Sequence, residues 1–188
     1  IGSYYSKIAG LTFSLWQGSI DENAFISEMI VLVQQGMKSA WLEGMAEVGI
    51  SESEMNPDEL VAMSQLISGQ WNHIEGFAAY IVENSKANKI QFSTLDSRIQ
   101  MWVNRYNEAK NQAMQMASND PKLEWVLGEG EHCKTCVRYN GKVKRASYWE
   151  KINARPQSSA LACKGINCKC ELVPTEKPLS KGYLTPPP

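Results

Sequence analysis

Apolar side chains recur at helical spacing along most of this chain, then give way to a segment punctuated by cysteine. From Ser19 to about Glu47, the positions Ile26, Met29, Val33, Met37, Ala40 and Gly44 are three or four residues apart and fall on one helix face. Ser19 followed by Glu22 fits a capping box, and Gly49 fits a stop. A second start is written in "NPDEL": Asn56 as cap, Pro57 at the first helical position, Glu59 in support. The stripe Leu60, Met63, Ile67, Ile74, Phe77 and Ile81 carries that helix to about Lys86, with a kink expected between Gly69 and Trp71. The most regular pattern is Leu95, Ile99, Trp102, Tyr106, Ala109, Ala113 and Met116, a heptad seam capped by Ser93 or Thr94 and ended by "SNDP". If this seam serves a partner, Trp102 and Tyr106 are expected to be exposed. The Met and Trp residues of these stripes read as core.

After residue 120 the pattern changes. "VRYNGKVK" places Asn140-Gly141 between two short β-compatible runs, which predicts a two-residue hairpin turn with Cys133 and Cys136 at its entrance. "CKCEL" read as a strand sets Cys168, Cys170 and Leu172 on one face. The tail from Pro174 onward, "TEKPLSKGYLTPPP", leaves regular structure. The expected fold is mainly α: long amphipathic helices in a helical domain (1–120), a cysteine-rich zinc-knuckle and β-hairpin module (121–176), and an extended Pro-rich tail (177–188).

Composition narrows the class. In 188 residues, 43% apolar side chains and 6 tryptophans suit a folded globular chain rather than a disordered one. No apolar run approaches the ~20 residues of a bilayer span, so no membrane is expected. The first 18 residues hold one lysine and no basic region leading to a cleavage site, so no secretory signal is read there. What precedes Ile1 is left open.

A net charge of −1 conceals segregation. Residues 132–170 contain nine basic side chains and one acid, Glu150. Such a basic segment faces nucleic acid or an acidic partner, with Lys142, Lys144, Arg145, Lys151 and Arg155 as candidate contacts, or it offsets the negative charge of thiolates on a metal.

All five cysteines, Cys133, Cys136, Cys163, Cys168 and Cys170, lie in this segment. C-x-x-C aims two sulfurs at a common centre, and two more from "CKGINCKC" complete the four ligands of tetrahedral zinc. Disulfides are the competing reading, and they leave one thiol over in a chain with no secretion signal. A redox or nucleophilic cysteine is a third, and a C-x-x-C that leads into a hairpin argues against it. His132 adjoins the cluster as an alternative ligand or a bystander. His73 is far in sequence from any partner and reads as surface or satisfied core. Trp125, Tyr148 and Trp149 flank the basic stretch, either to stack on nucleic-acid bases or, more in keeping with a small module, to cover it. No phosphate loop or H-E-x-x-H is present, and an enzyme is not expected.

The order of "WVLGEGEHCKTCVRYNGKV" and "ARPQSSALACKGINCKCELVPT" after a long amphipathic helix resembles the C-terminal part of tailed-phage minor head proteins, the Mu F-like head morphogenesis family. The resemblance rests on Trp125, Cys133, Cys136, Gly141, Val143, Cys168, Cys170 and Pro174, and covers about residues 90–176. Many members carry His-Pro before the closing cysteine pair, where this chain has "KGIN"; Cys163 then stands in for the histidine, and Cys168 or Cys170 becomes surplus. The resemblance implies a virion structural protein of the phage head, made in the host cytoplasm, partnered by portal or major capsid protein and close to packaged DNA. A DNA-binding zinc protein and a zinc-knuckle nuclease or toxin fragment are the alternatives.

Overall fold

The computed structural model describes residues 2–188; Ile1 lies outside them. Four long helices come first: α1 (Gly2–Gln17), α2 (Glu22–Glu47), α3 (Pro57–Glu83) and α4 (Asp96–Met116). They are followed by β1 (Lys122–Val126), α5 (Lys134–Tyr139), β2 (Val143–Arg145), α6 (Ala146–Lys151) and β3 (Glu171–Pro174). The three strands form one antiparallel sheet in the order β2-β1-β3, with Leu123 opposite Lys144 on one side and Trp125 opposite Leu172 on the other. The chain is therefore mainly α with a small cysteine-bearing β module, as the hydrophobic pattern predicts.

The periodic stripes form the core. Met29, Val33, Met37 and Ala40 of α2 meet Ile67, Ile74, Phe77 and Ile81 of α3 and Ile99, Trp102, Tyr106 and Ala109 of α4 in one buried cluster. Ile26 is only partly buried; its neighbour Phe25 takes the core position and meets Phe77 edge-on, ring centroids 5.9 Å apart. Gly44 lets α2 approach α4 closely, because a Cβ there would lie 2.3 Å from the Lys110 carbonyl oxygen. Trp102 and Tyr106, expected as exposed seam residues, are each 6% exposed. The seam they belong to is consumed within the bundle.

Several local expectations are corrected. Before Ser19 no helix is predicted, yet α1 packs Tyr4, Ile8 and Leu15 into the same core. The cap of α2 is Asp21, whose carboxylate accepts from the Ala24 N–H at 2.8 Å; the Ser19 hydroxyl instead donates to the Ser14 carbonyl. Asn56, Pro57 and Glu59 do cap α3, with both reciprocal bonds of the capping box present. The helix then runs unbroken past Gly69 to Glu83. Neither Ser93 nor Thr94 caps α4: a 3-10 turn, Phe92–Leu95, leads straight into it.

The Asn140-Gly141 hairpin does not form. Val137–Tyr139 belong to α5, and Gly141, at φ +70, ends that short helix before β2 begins. β2 pairs with β1 rather than with the residues just before the turn.

A second core joins the two halves of the chain. Trp41 and Met45 of α2 with Val48 and Ile50 just past its end, and Ala113 and Met114 of α4 with Ala117 just past its end, pack against Leu123, Trp125, Tyr139, Trp149 and Leu172. The tail is irregular but docked: Leu184 is buried in this core, Ser180 N–H donates to the Val143 carbonyl, and the Tyr139 hydroxyl donates to the Thr185 carbonyl. No helix among the described residues is long and apolar enough to cross a membrane.

Candidate metal centre

Three short segments converge on the cysteines. The first leaves β1 and enters α5, where Cys133 occupies the N-cap and Cys136 the first turn. The second is the turn 161–168, held by bonds from Lys164 N–H to Leu161 O and from Ile166 N–H to Cys163 O. Lys164, Gly165 and Asn167 all adopt positive φ there. Gly165 is required twice over, by its φ of +74 and because a Cβ would sit 1.9 Å from the Gln157 carbonyl oxygen. The third segment runs through Cys168 and Cys170 into β3. Cys168, Cys170 and Leu172 alternate as the buried positions, as the strand reading of "CKCEL" requires, although the strand itself starts at Glu171.

The five thiols form two overlapping groups. The sulfurs of Cys133, Cys136 and Cys163 lie within 4.8 Å of one another, as do those of Cys136, Cys168 and Cys170. Cys136 belongs to both. Its sulfur is 3.5 Å from that of Cys133 and 3.9 Å from that of Cys168. His132 Nδ1 lies 3.8 Å from the Cys170 sulfur, at the edge of the cluster. All five cysteines are unpaired. This arrangement can bind a metal ion.

Charge is distributed unevenly among the thiols. Cys168 is driven strongly toward thiolate because Cys136 and Cys170 donate to it, and Cys136 is pushed up correspondingly by holding its proton toward Cys168. Burial pushes Cys163 up to about 12. At Cys133 burial acts in the same direction and is the largest single influence, but the backbone and side-chain hydrogen bonds from Cys136 and Cys163 together outweigh it and hold the thiol below its ordinary value. Crowded thiols that share protons are the donor set a soft cation displaces protons from on binding.

The surroundings fix this geometry. Trp125, Tyr139 and Trp149 pack mutually with centroids 5.1–5.5 Å apart, and the Trp149 indole donates to the Leu123 carbonyl at 3.1 Å. The aromatics therefore cover the module rather than present free faces. Behind the sulfurs, the fully buried Gln157 amide donates to the carbonyls of both Cys168 and Cys170. Its oxygen accepts from Asn111 Nδ2 of α4 at 2.9 Å, and Asn111 Oδ1 accepts the Leu172 N–H at 2.7 Å. Sequence reasoning missed both amides, since a polar residue in a helix or loop carries no mark of a partner 46 residues away.

Two of the five predicted basic contacts are turned inward. Lys144 is 8% exposed; its ammonium donates to the carbonyls of Ser180 and Gly182 and lies 4.7 Å above the Tyr148 ring. Arg155 pairs with the buried carboxylate of Glu108 at 3.4 Å. Lys142, Arg145 and Lys151 are exposed, with Arg145 donating to the Asp120 carbonyl.

The C-x-x-C opens a helix, so the argument that a hairpin excludes a redox dithiol lapses. What distinguishes it from an isolated dithiol is that Cys136 is as close to Cys168 as to Cys133 within a few tenths of an ångström. Family models, curated proteins and solved structures yield no match to this chain.

Proposed function

We propose that this chain is a minor head protein of a tailed phage, a non-catalytic assembly component whose cysteine module is pinned by zinc. The observation that carries the reading is the convergence of all five cysteines of the motif in two three-sulfur groups that share Cys136. A ZnS4 tetrahedron with Zn–S of about 2.3 Å has edges of about 3.8 Å, and the Cys133–Cys136 and Cys136–Cys168 separations bracket that value. Each group places three sulfurs within 4.8 Å of one another. Cys136, common to both, would hold the ion with three of the other cysteines once a fourth sulfur closes in from the other group. Its chemistry there would be structural cross-linking of α5, the 161–168 turn and β3. The resemblance to the Mu F-like family rests on the order of these segments in the sequence, with "KGIN" where many members carry His-Pro. On this reading the body α1–α4 and the rigid module dock on portal or capsid protein inside the virion.

DNA contact remains a secondary element, restricted to Lys142, Arg145 and Lys151. The decisive experiment is mass spectrometry of purified particles from the genome that encodes the chain, together with pull-downs using its portal and major capsid proteins. Low, fixed copy number in particles and capture of either partner is expected. Absence from particles with no capture refutes the assignment, and magnesium-dependent plasmid nicking abolished by His132→Ala would replace it with a nuclease.

A further inference from the structure

A second site lies away from the cysteines, in the groove between α3 and α4. The helical body is acidic overall, yet Arg98 and Arg105, the only arginines ahead of Arg138, both line this one groove. They are seven residues apart on α4, hence on one face and about 10.5 Å apart along the axis. Gln70 and His73 of α3 face them, and Phe77 and Trp102 form an apolar floor beneath a cleft of about 300 Å³. The Arg98 guanidinium stacks 4.3 Å from the Tyr80 ring centroid and has no carboxylate within ion-pair distance among the described residues. Arg105 pairs with Glu108, which Arg155 also reaches at 3.4 Å, so that carboxylate keeps one partner when Arg105 turns outward.

Arginine, tryptophan and a shallow apolar floor between two helices are the ingredients of a helix-in-groove interface. We infer that this groove docks an acidic amphipathic helix of a partner protein. Two carboxylates seven positions apart on that helix match Arg98 and Arg105, and its apolar residues between them cover Met101, the exposed apolar side chain of this groove. Charge complementarity selects the occupant: a neutral helix would cover Arg98 without supplying a counter-ion, and a basic one would be repelled.

The test uses the whole 188-residue chain and a fluorescein-labelled alanine-rich helix of about 18 residues, with glutamates at the seven-residue spacing and leucines between them. Fluorescence anisotropy should show binding that weakens as salt rises, by roughly fivefold to tenfold in Arg98→Gln and Arg105→Gln, and when the glutamates become glutamine. Arg98 is exposed, so thermal melting should confirm that Arg98→Gln leaves the fold intact. Equal binding of the glutamate and glutamine peptides, or none, overturns the inference. Dimerisation of the chain itself, seen by sedimentation and lost in Arg98→Gln, also overturns it by naming a second copy as the occupant.

Discussion

Replacing Asn111 by alanine separates a module that is built onto the helical body from one merely adjacent to it. Asn111 is 2% exposed on α4 and bonds both to Gln157 behind the cysteines and to the Leu172 N–H of β3. Its removal leaves the Leu172 N–H and the Gln157 side-chain oxygen buried without partners, each at about 1–3 kcal/mol. Alanine returns up to about 0.7 kcal/mol through helix propensity. The net loss is then roughly 1.5–5 kcal/mol, or a fall of roughly 3–20 °C in Tm for a chain of this size. Urea unfolding followed by tryptophan emission measures it, since Trp102 sits in the helical core, Trp125 and Trp149 in the module core, and Trp41 where that core joins α2. The expected result is a single transition moved to lower urea. Asn107→Ala, one turn earlier and with no such side-chain bonds, should stay within about 0.5 kcal/mol of the parent. A loss below about 1 kcal/mol at Asn111, or one equal to that at Asn107, would refute the argument.

Gly165→Ala forces a Cβ into the Gln157 carbonyl at a positive φ, so it should lower Tm and reduce metal retained after dialysis against a weak chelator; unchanged retention would show that the turn is not needed to place Cys163 and Cys168. Lys144→Met removes the bonds to Ser180 and Gly182, and limited proteolysis should then cut within 177–188 faster while the body persists. Glu43 supplies a pH dependence. Part burial pushes its carboxyl up, but the Tyr106 hydroxyl at 2.8 Å and the Lys110 ammonium at 3.1 Å hold it below the ordinary value of 4.5. A carboxyl depressed in the folded state contributes stability above its unfolded pKa and loses it as pH falls through the folded one. The stability difference between parent and Glu43→Gln should therefore be constant above about pH 5 and shrink toward zero in acid; a gap that persists at pH 2 would contradict the assignment.

The long helices were legible because burial dictates their sequence: Met29, Val33 and Met37 are at helical spacing for the same reason that they are at 0–1% exposure. α1 was harder to read, since two of the four buried positions of its stripe are Tyr4 and Thr12, so the apolar signal is diluted. The failed hairpin has a local cause. An Asn-Gly pair supplies positive φ to a β-turn and to a helix terminus alike, and only the pairing of β2 with β1 decides between them. The cysteine focus was legible from spacing, but its division into two groups around Cys136 was not, because that depends on the left-handed turn 164–167. The fate of Lys144 was equally hidden: a lysine in a basic run looks solvent-facing until the returning tail supplies its acceptors.

The central claim is that metal–sulfur coordination holds the module together, and simultaneous metal and thiol analysis of the natively purified protein tests it most directly. The account predicts one zinc per chain, a single thiol reactive without denaturant, and all five reactive after chelation and unfolding. Metal-free protein that melts at the same temperature with and without zinc, with two disulfides or five freely reactive thiols, would contradict it.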